Sequence, residues 1–403
     1  MKISLIQPGR NNLKYLKWSY DSIRKNQGNH EVEICVADDA STDGTWDWCV
    51  EMMDKDSNFK ALKWDGPERV GHTILYDRLI NEVATNDTCM IYHADMYLCP
   101  GALDAIENEL KEKTIVSLTR IEPPLHPDGP EKILKDFGVE PEEFNEKGLL
   151  EFLDSRVPND DVTEGIFAPW AFWKSDFQEI GGHDPLYAPQ SKEDSDIFNR
   201  FHLNEVEFVQ TWEGFVYHMT SRGSRFNPYS GGAPGQNSEE WLHTTTKNMR
   251  NFIRKWGTPV NHDKSLKPIV SPKYNIGYRI ENCHLPLLEA LEPWCDRIYV
   301  DEQFRVGRSQ DYIEMEQENT SFDLSKRIHT LTDNDRYDYD DILVEINGNL
   351  FTHQDFQTLQ QLPEILQDSG EEGSFELGNL KITISSLKTY EKELIVCSSQ
   401  YVL

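Results

Sequence analysis

The chain has 403 residues, 38% hydrophobic and 11% aromatic, a length and composition that suit two or three domains with packed cores. Forty Lys and Arg against 70 Asp and Glu leave a net charge of −30, which argues against a surface built to grip nucleic acid or anionic lipid, because neutralising phosphates needs clustered cations. No stretch approaches the roughly 18 consecutive apolar residues of a membrane span. The seven scattered cysteines include no C-x-x-C pair, and with no export signal they imply a reducing, cytoplasmic setting.

The first hundred residues alternate strand and helix. Ile3–Gln7 is an apolar strand closed by Pro8-Gly9, and Leu13, Leu16, Tyr20 and Ile23 then recur at helical spacing. Val32–Ala37 is a second strand, ending in Asp38-Asp39. Trp46, Val50 and Met53 mark a helix, Ala61–Trp64 a weak strand, and Ile74–Val83 another helix. Thr88–Tyr92 is a strong strand that delivers His93-Ala94-Asp95 just before Pro100-Gly101. Such alternation implies a parallel sheet covered on both faces, with ligands bound beyond the carboxyl ends of its strands. Two acidic motifs fall at such ends, so one cleft can hold both.

From about Ile121 to Asp161 the pattern turns irregular and rich in Pro, Asp and Glu, an insertion readable as an acceptor-side loop or as a solvated excursion. Regular structure resumes at Gly165–Trp173. Gly181-Gly182-His183-Asp184 is a turn, and Glu193-Asp194-Ser195-Asp196 opens an amphipathic helix. Glu205–Gln210 and Gly214–His218 read as two strands, Ser221–Gly235 as a mobile loop, and Glu239–Trp256 as a helix ended by Gly257. Lys264–Pro272 reads as a linker. Beyond it come a strand-helix-strand unit (Tyr274–Val300), a strand at Ile342–Ile346, a helix from His353 to about Leu366, and closing strands at Lys381–Ser385 and Glu393–Cys397.

Four stretches, in order, resemble family 2 glycosyltransferases, inverting enzymes of the GT-A fold. Val36-Ala37-Asp38-Asp39-Ala40-Ser41-Thr42-Asp43-Gly44-Thr45 is close to the family's V-D-D-G-S-x-D-G-T, and His93-Ala94-Asp95 stands at the place of its D-x-D. The Gly-Gly turn with Glu193-Asp194-Ser195-Asp196 resembles G-G-F-D and E-D-x-D, and Val216-Tyr217-His218 resembles a strand ending in a metal-facing histidine. The resemblance covers residues 1 to about 255. It implies an α/β GT-A fold, a doubly wound mixed sheet in residues 1–258, followed by small accessory α/β or α+β pieces at 259–318 and 319–403.

The resemblance also implies roles. Asp38 and Asp39 would bind the donor's base and ribose, with Pro8 and Arg10 as the neighbouring wall. Asp95 and His218 would hold a divalent cation, Mn²⁺ or Mg²⁺, against the donor diphosphate, because hard cations take oxygen ligands and keep substrate phosphates in their shell. His93 and Ala94 would face the donor. His93 replaces the family's first Asp, which puts the donor sugar and the metal in question. Arg78 is a candidate for the diphosphate, or else a surface ion pair. Asp194 is the candidate general base, with Glu193 beside it on the acceptor, and Asp196 pairing with Arg200 one turn on. Trp170 and Trp173 are candidates for stacking on a sugar, or for core packing. Arg222 and Arg225 would form a lid over the diphosphate.

The function expected is metal-dependent, inverting transfer of a sugar from a nucleotide-diphosphate donor, a UDP-sugar by analogy, to an acceptor hydroxyl. The acceptor, whether glycan, lipid-linked glycan or protein, is not legible. Two alternatives stand beside it: a non-catalytic sugar- or nucleotide-binding GT-A protein, and a sugar-phosphate nucleotidyltransferase. Against the second, the loop after the first strand, Pro8-Gly9-Arg10-Asn11-Asn12, lacks the Gly-rich basic pattern such enzymes use. The C-terminal pieces suggest no chemistry; bracing, acceptor binding and a homo-oligomer contact are the roles open to them.

Overall fold

The computed structural model describes residues 1–403 except 67, 158–160, 223–224, 302–303, 306, 332–338 and 397–403. It divides into two compact units, Met1–Thr245 with His262–Ile269, and Thr246–Asn261 with Val270–Leu403.

The first unit is built on a ten-stranded sheet. Its strands are β1 (Lys2–Gly9), β2 (Glu31–Asp38), β3 (Phe59–Lys63), β4 (Thr88–Ile91), β5 (Met96–Leu98), β6 (Thr114–Glu122), β7 (Lys132–Leu134), β8 (Val162–Thr163), β9 (Trp170–Trp173) and β10 (Glu207–His218). Their order is β3-β2-β1-β4-β9-β6-β10-β5, with β7 on β6 and β8 on β10. β1 pairs in parallel with β2 and β4, and β6 in parallel with β10, while β9 lies antiparallel between β4 and β6. Those five parallel strands therefore end at one edge of the sheet. They are buried on both faces, as at Ile3, Leu5 and Ile6 of β1 and Cys89–Ile91 of β4, which is why they read as apolar runs rather than alternations. This is the mixed α/β GT-A architecture that the sequence implies.

Three local expectations change. The two strands expected around Glu205–His218 are one strand, because β10 absorbs Trp212–Gly214 in a register shift between Thr211 and Phe215. The irregular stretch after Ile121 is no solvated excursion. It carries a helix at Glu146–Asp154, and Phe137 and Leu149 join an apolar cluster with Tyr15, Tyr97, Phe215 and Tyr217. Of the expected linker, residues up to Ile269 belong to the first unit, where Lys267 pairs with Glu164 at 2.7 Å.

The second unit has one six-stranded sheet of β11 (Ile276–Glu281), β12 (Arg297–Val300), β13 (Ile328–Thr330), β14 (Ile342–Asn347), β15 (Gly373–Leu377) and β16 (Leu380–Ile384), in the order β13-β12-β11-β14-β16-β15. Residues on both sides of the expected boundary at 318/319 share this sheet and a single apolar cluster running from Ile253 to Ile384. The piece 259–318 alone holds only β11 and β12, too few strands to stand by themselves, and β13 of the later piece pairs with β12. The helix expected from His353 breaks at Gln361. Its first part carries a capping box of Thr352 and Asp355, and the chain restarts at Leu362 with Pro363 in the first turn, because proline is tolerated there and not inside a helix. The closing hairpin is β15–β16. Glu391–Leu394 is a short 3₁₀ turn rather than a strand, and Cys397 lies outside the described residues. Among the described residues, no helix is long and apolar enough to cross a membrane.

Candidate active site

The shared edge of the first sheet gathers Gly9, Asp38, Ile91, Glu122 and His218, the last residues of β1, β2, β4, β6 and β10. A cavity of about 200 Å³ opens there, lined by Pro8, Arg10, Asn12, Asp39, Arg69, His72, Tyr76, His93, Ala94, Asp95, Arg120, Gln190, His218 and Ser221, among others. The chain is acidic overall, yet three arginines face this space.

Asp39 is buried and accepts the backbone N–H groups of Val70 (2.8 Å) and Gly71 (2.9 Å), so β2 fixes the loop that carries Arg69. Gly71 is needed there: its φ is +86°, and a Cβ would lie 2.2 Å from the Pro189 carbonyl oxygen. The Arg69 Nε is buried, 4.0 Å from Asp39 Oδ2, and makes no hydrogen bond. Asp38 is also buried but does not line the cavity; its Oδ1 accepts from Ser41 N at 3.2 Å, and burial raises its pKa. Asp43 accepts from Leu13 N at 2.9 Å and from Thr45. The first motif therefore spends much of its capacity holding its own turn, with Asp39 the carboxylate that reaches the cleft.

On the cleft floor His218 Nδ1 meets Glu122 Oε1 at 2.7 Å, and its Nε2 faces Asp95 Oδ2 at 3.5 Å, too long for a good hydrogen bond. That Nε2 is buried and has no hydrogen-bond partner. Burial works against charge on His218, but Asp95 and Glu122 outweigh it and hold its pKa up at about 9. Burial would raise Asp95; the His218 charge overrides it and keeps the carboxyl well below the usual range. Burial pushes His93 down to about 4. His93, Asp95 and His218 each offer a ligand atom within 4.8 Å of the others. An orphaned ring nitrogen opposite a carboxylate, its other nitrogen held by a second carboxylate, fits a divalent cation.

Asp194 is half-buried in the first turn of the helix Glu193–Leu203. Burial raises its pKa, and the Glu193 charge adds to this, to about 6, against the pull of His183, His72 and Arg120. Glu193 is held the other way, chiefly by the His72 ring at 2.9 Å. The Gly-Gly turn is locked to this helix by Arg200, which pairs with Asp196 at 2.8 Å and donates to the carbonyls of Ile180 (2.9 Å) and Gly182 (2.6 Å). Gly182 has φ +73°, and a Cβ would sit 2.1 Å from Asp77 Oδ2.

Asp194 and Glu193, like Asp38, do not themselves line the cavity; Glu193 is joined to it through the lining residue His72. Five further expected site residues lie elsewhere. Arg78 does not line the cavity; it sits on the surface, paired with Glu82 at 2.8 Å and packed over Trp64. Trp170 is fully buried among Phe172, Phe198 and Phe201. Trp173 pairs with Thr88, at the start of β4, and so lies at the far end of the strand from the cleft. Arg222 gives its backbone N–H to Asp95 Oδ2 at 2.6 Å, but its guanidinium is buried against the Val139 carbonyl. Arg225 bonds Asn237 and stacks 4.3 Å from the Trp241 ring. Arg69, His72, Arg120 and Glu122 are the site residues that sequence reasoning missed. A charged pair closing the apolar run Thr114–Glu122 was the available signal for the last two.

Fold and cleft together define an α/β domain of the GT-A class, with a carboxylate- and histidine-lined site at the ends of its parallel strands. Residues 4–181 match the model of Glycosyl transferase family 2. A search of curated proteins finds no match. Among solved structures, the chain is similar to residues 1–349 of TarS from S. aureus (16% identity, TM-score 0.39, covering 54% of this chain and 60% of that one). It is also similar to GalNAc-T7 with UDP, GalNAc and Mn²⁺ (14%, 0.45, 63% and 48%). A third is the mannosyltransferase PcManGT from Pyrobaculum calidifontis with GDP-Man and Mn²⁺ (14%, 0.41, 62% and 61%). The match spans less than two thirds of each of these chains.

Proposed function

We propose that the chain moves a sugar with inversion from a nucleotide-diphosphate donor, for which a UDP-sugar is the first candidate, to an acceptor hydroxyl. A divalent cation, Mn²⁺ or Mg²⁺, would sit on Asp95 and His218. The observation that carries this reading is the buried His218 Nε2, which makes no hydrogen bond and faces Asp95 Oδ2 at 3.5 Å, in the same cavity as Asp39 and Arg69. When bound, the cation neutralises charge growing on the leaving diphosphate.

The chain's own residues do the rest. Asp39 and Pro8 bound the nucleoside end, and Arg10, Arg69 and Arg120 offer positive charge along the cleft. Asp194 takes the acceptor proton as the acceptor oxygen bonds the anomeric carbon. The bond from that carbon to the diphosphate oxygen breaks on the opposite face, and its electron pair leaves with the diphosphate. A pKa near 6 leaves this base ionised at neutral pH yet basic enough to accept a proton. Glu193, held by His72, keeps a buried Oε2 free for the acceptor. The test is a screen of UDP- and GDP-sugars with Mn²⁺ for release of the nucleoside diphosphate. Turnover of at least one donor is expected. No turnover of any donor, together with no metal-dependent nucleotide binding, contradicts the proposal.

A further inference from the structure

We infer that His93 is a third ligand to the cation at Asp95 and His218, giving a two-histidine, one-carboxylate site that selects transition ions such as Mn²⁺ or Co²⁺ over Mg²⁺. The inference rests on the metal reading above and deepens it. The turn after β4 is closed by Met96 N donating to the His93 carbonyl at 3.2 Å, and both His93 and Asp95 line the cavity. Donor atoms of His93, Asp95 and His218 lie within 4.8 Å of one another. Two donors about 2.1 Å from one ion can be up to about 4.2 Å apart, so less than an ångström of closure is needed at most. Among the described residues, no side-chain hydrogen bond ties the half-buried His93 ring to another residue, and it is free to make that adjustment.

The donor set decides the ion. Mg²⁺ demands oxygen ligands in near-octahedral geometry and dehydrates reluctantly. Imidazole is a borderline donor, and each one added favours ions later in the Irving–Williams order. Glu122 on His218 Nδ1 at 2.7 Å fixes which nitrogen faces the ion and makes it a better donor.

The test titrates Co²⁺, Mn²⁺ and Mg²⁺ alone, and again with UDP, into the full chain and its His93→Ala, His93→Asp and His218→Ala variants. Calorimetry reads affinity and visible absorption reads the Co²⁺ ligand field. Co²⁺ is expected to bind wild type on the order of 100-fold tighter than Mg²⁺. His93→Ala should weaken Co²⁺ by about tenfold or more and shift its absorption bands. His93→Asp should narrow the Co²⁺/Mg²⁺ ratio by about tenfold through a gain in Mg²⁺ affinity, which a misfolded variant would not show. If both His93 variants keep the wild-type affinities and spectrum while His218→Ala loses Co²⁺, the inference is overturned and the Asp95–His218 reading stands. If wild type binds none of the three ions under either condition, both fall.

Discussion

In the second unit, Glu292 is buried between two arginines, and its charge is fully answered. Arg254 reaches it at 2.7 Å, Arg327 at 2.9 Å and the Tyr312 hydroxyl at 2.8 Å, while Arg254 also finds Asn251 and Glu316. In the cleft of the first unit the burial is comparable, but the pairing is incomplete. On residues that line the cavity, His218 Nε2, Arg69 Nε and Arg10 Nε have no hydrogen-bond partner; next to the lining His72, Glu193 Oε2 has none either, and Asp194 is left with a pKa pushed up to about 6. A buried ion cluster with every atom satisfied holds its surroundings together. One that keeps orphaned donors and acceptors facing a cavity is arranged for something that arrives later.

Breaking each cluster should give opposite results. Asp194→Asn is expected to lower transfer by about 10³-fold and donor hydrolysis by less, since water can attack without that base. The same change should raise the melting temperature. An aspartate whose folded pKa lies above its unfolded value binds more protons folded than unfolded between about 4 and 6. Stability falls as pH rises through that window and stays reduced above it. Removing the charge at neutral pH returns on the order of 1 kcal/mol. Glu292→Ala should do the reverse, costing about 3–5 kcal/mol in denaturant unfolding by stranding Arg254 and Arg327, with donor turnover per folded molecule within about twofold of wild type.

Two smaller effects sharpen the boundary of the cleft. The transfer rate should rise about tenfold per pH unit below pH 6 and level off above it, as Asp194 ionises; a pH–rate profile of the wild type checks this, and a flat profile would remove Asp194 as the base. Arg69→Ala should raise the donor KM by about tenfold through the lost charge, whereas Arg78→Ala and Trp173→Ala should leave it within about twofold, because Arg78 pairs with Glu82 on the surface and Trp173 lies opposite the start of β4.

These contrasts also show what the sequence carries. Asp39, Asp95 and His218 can be grouped from the sequence because each lies at or just beyond the carboxyl end of a buried parallel strand, and strand ends in such sheets converge by topology. Arg120 and Glu122 terminate β6 in the same way but went unread, because an irregular insertion follows them and hides the strand. Arg78 and Arg69 were exchanged for a different reason: helical period identifies a face without saying which way it points, and the anchoring of Arg69 comes from Asp39 through tertiary hydrogen bonds. Trp173 shares a four-residue strand with Trp170, and only the antiparallel pairing with β4 reveals that it sits at the far end. The lid expected from Arg222 failed similarly, since its backbone and not its guanidinium reaches Asp95. In the second unit the six strands were partly visible, but their union in one sheet depends on long-range pairing between β11 and β14.

The most direct measurement is calorimetric titration of UDP and of GDP into wild type and Asp95→Asn, each with and without Mn²⁺. The account predicts that wild type binds at least one nucleotide, that Mn²⁺ tightens this binding by about tenfold or more, and that Asp95→Asn abolishes the metal dependence while remaining folded. Equal binding with and without Mn²⁺ in both proteins, or no binding of either nucleotide to wild type, would contradict it.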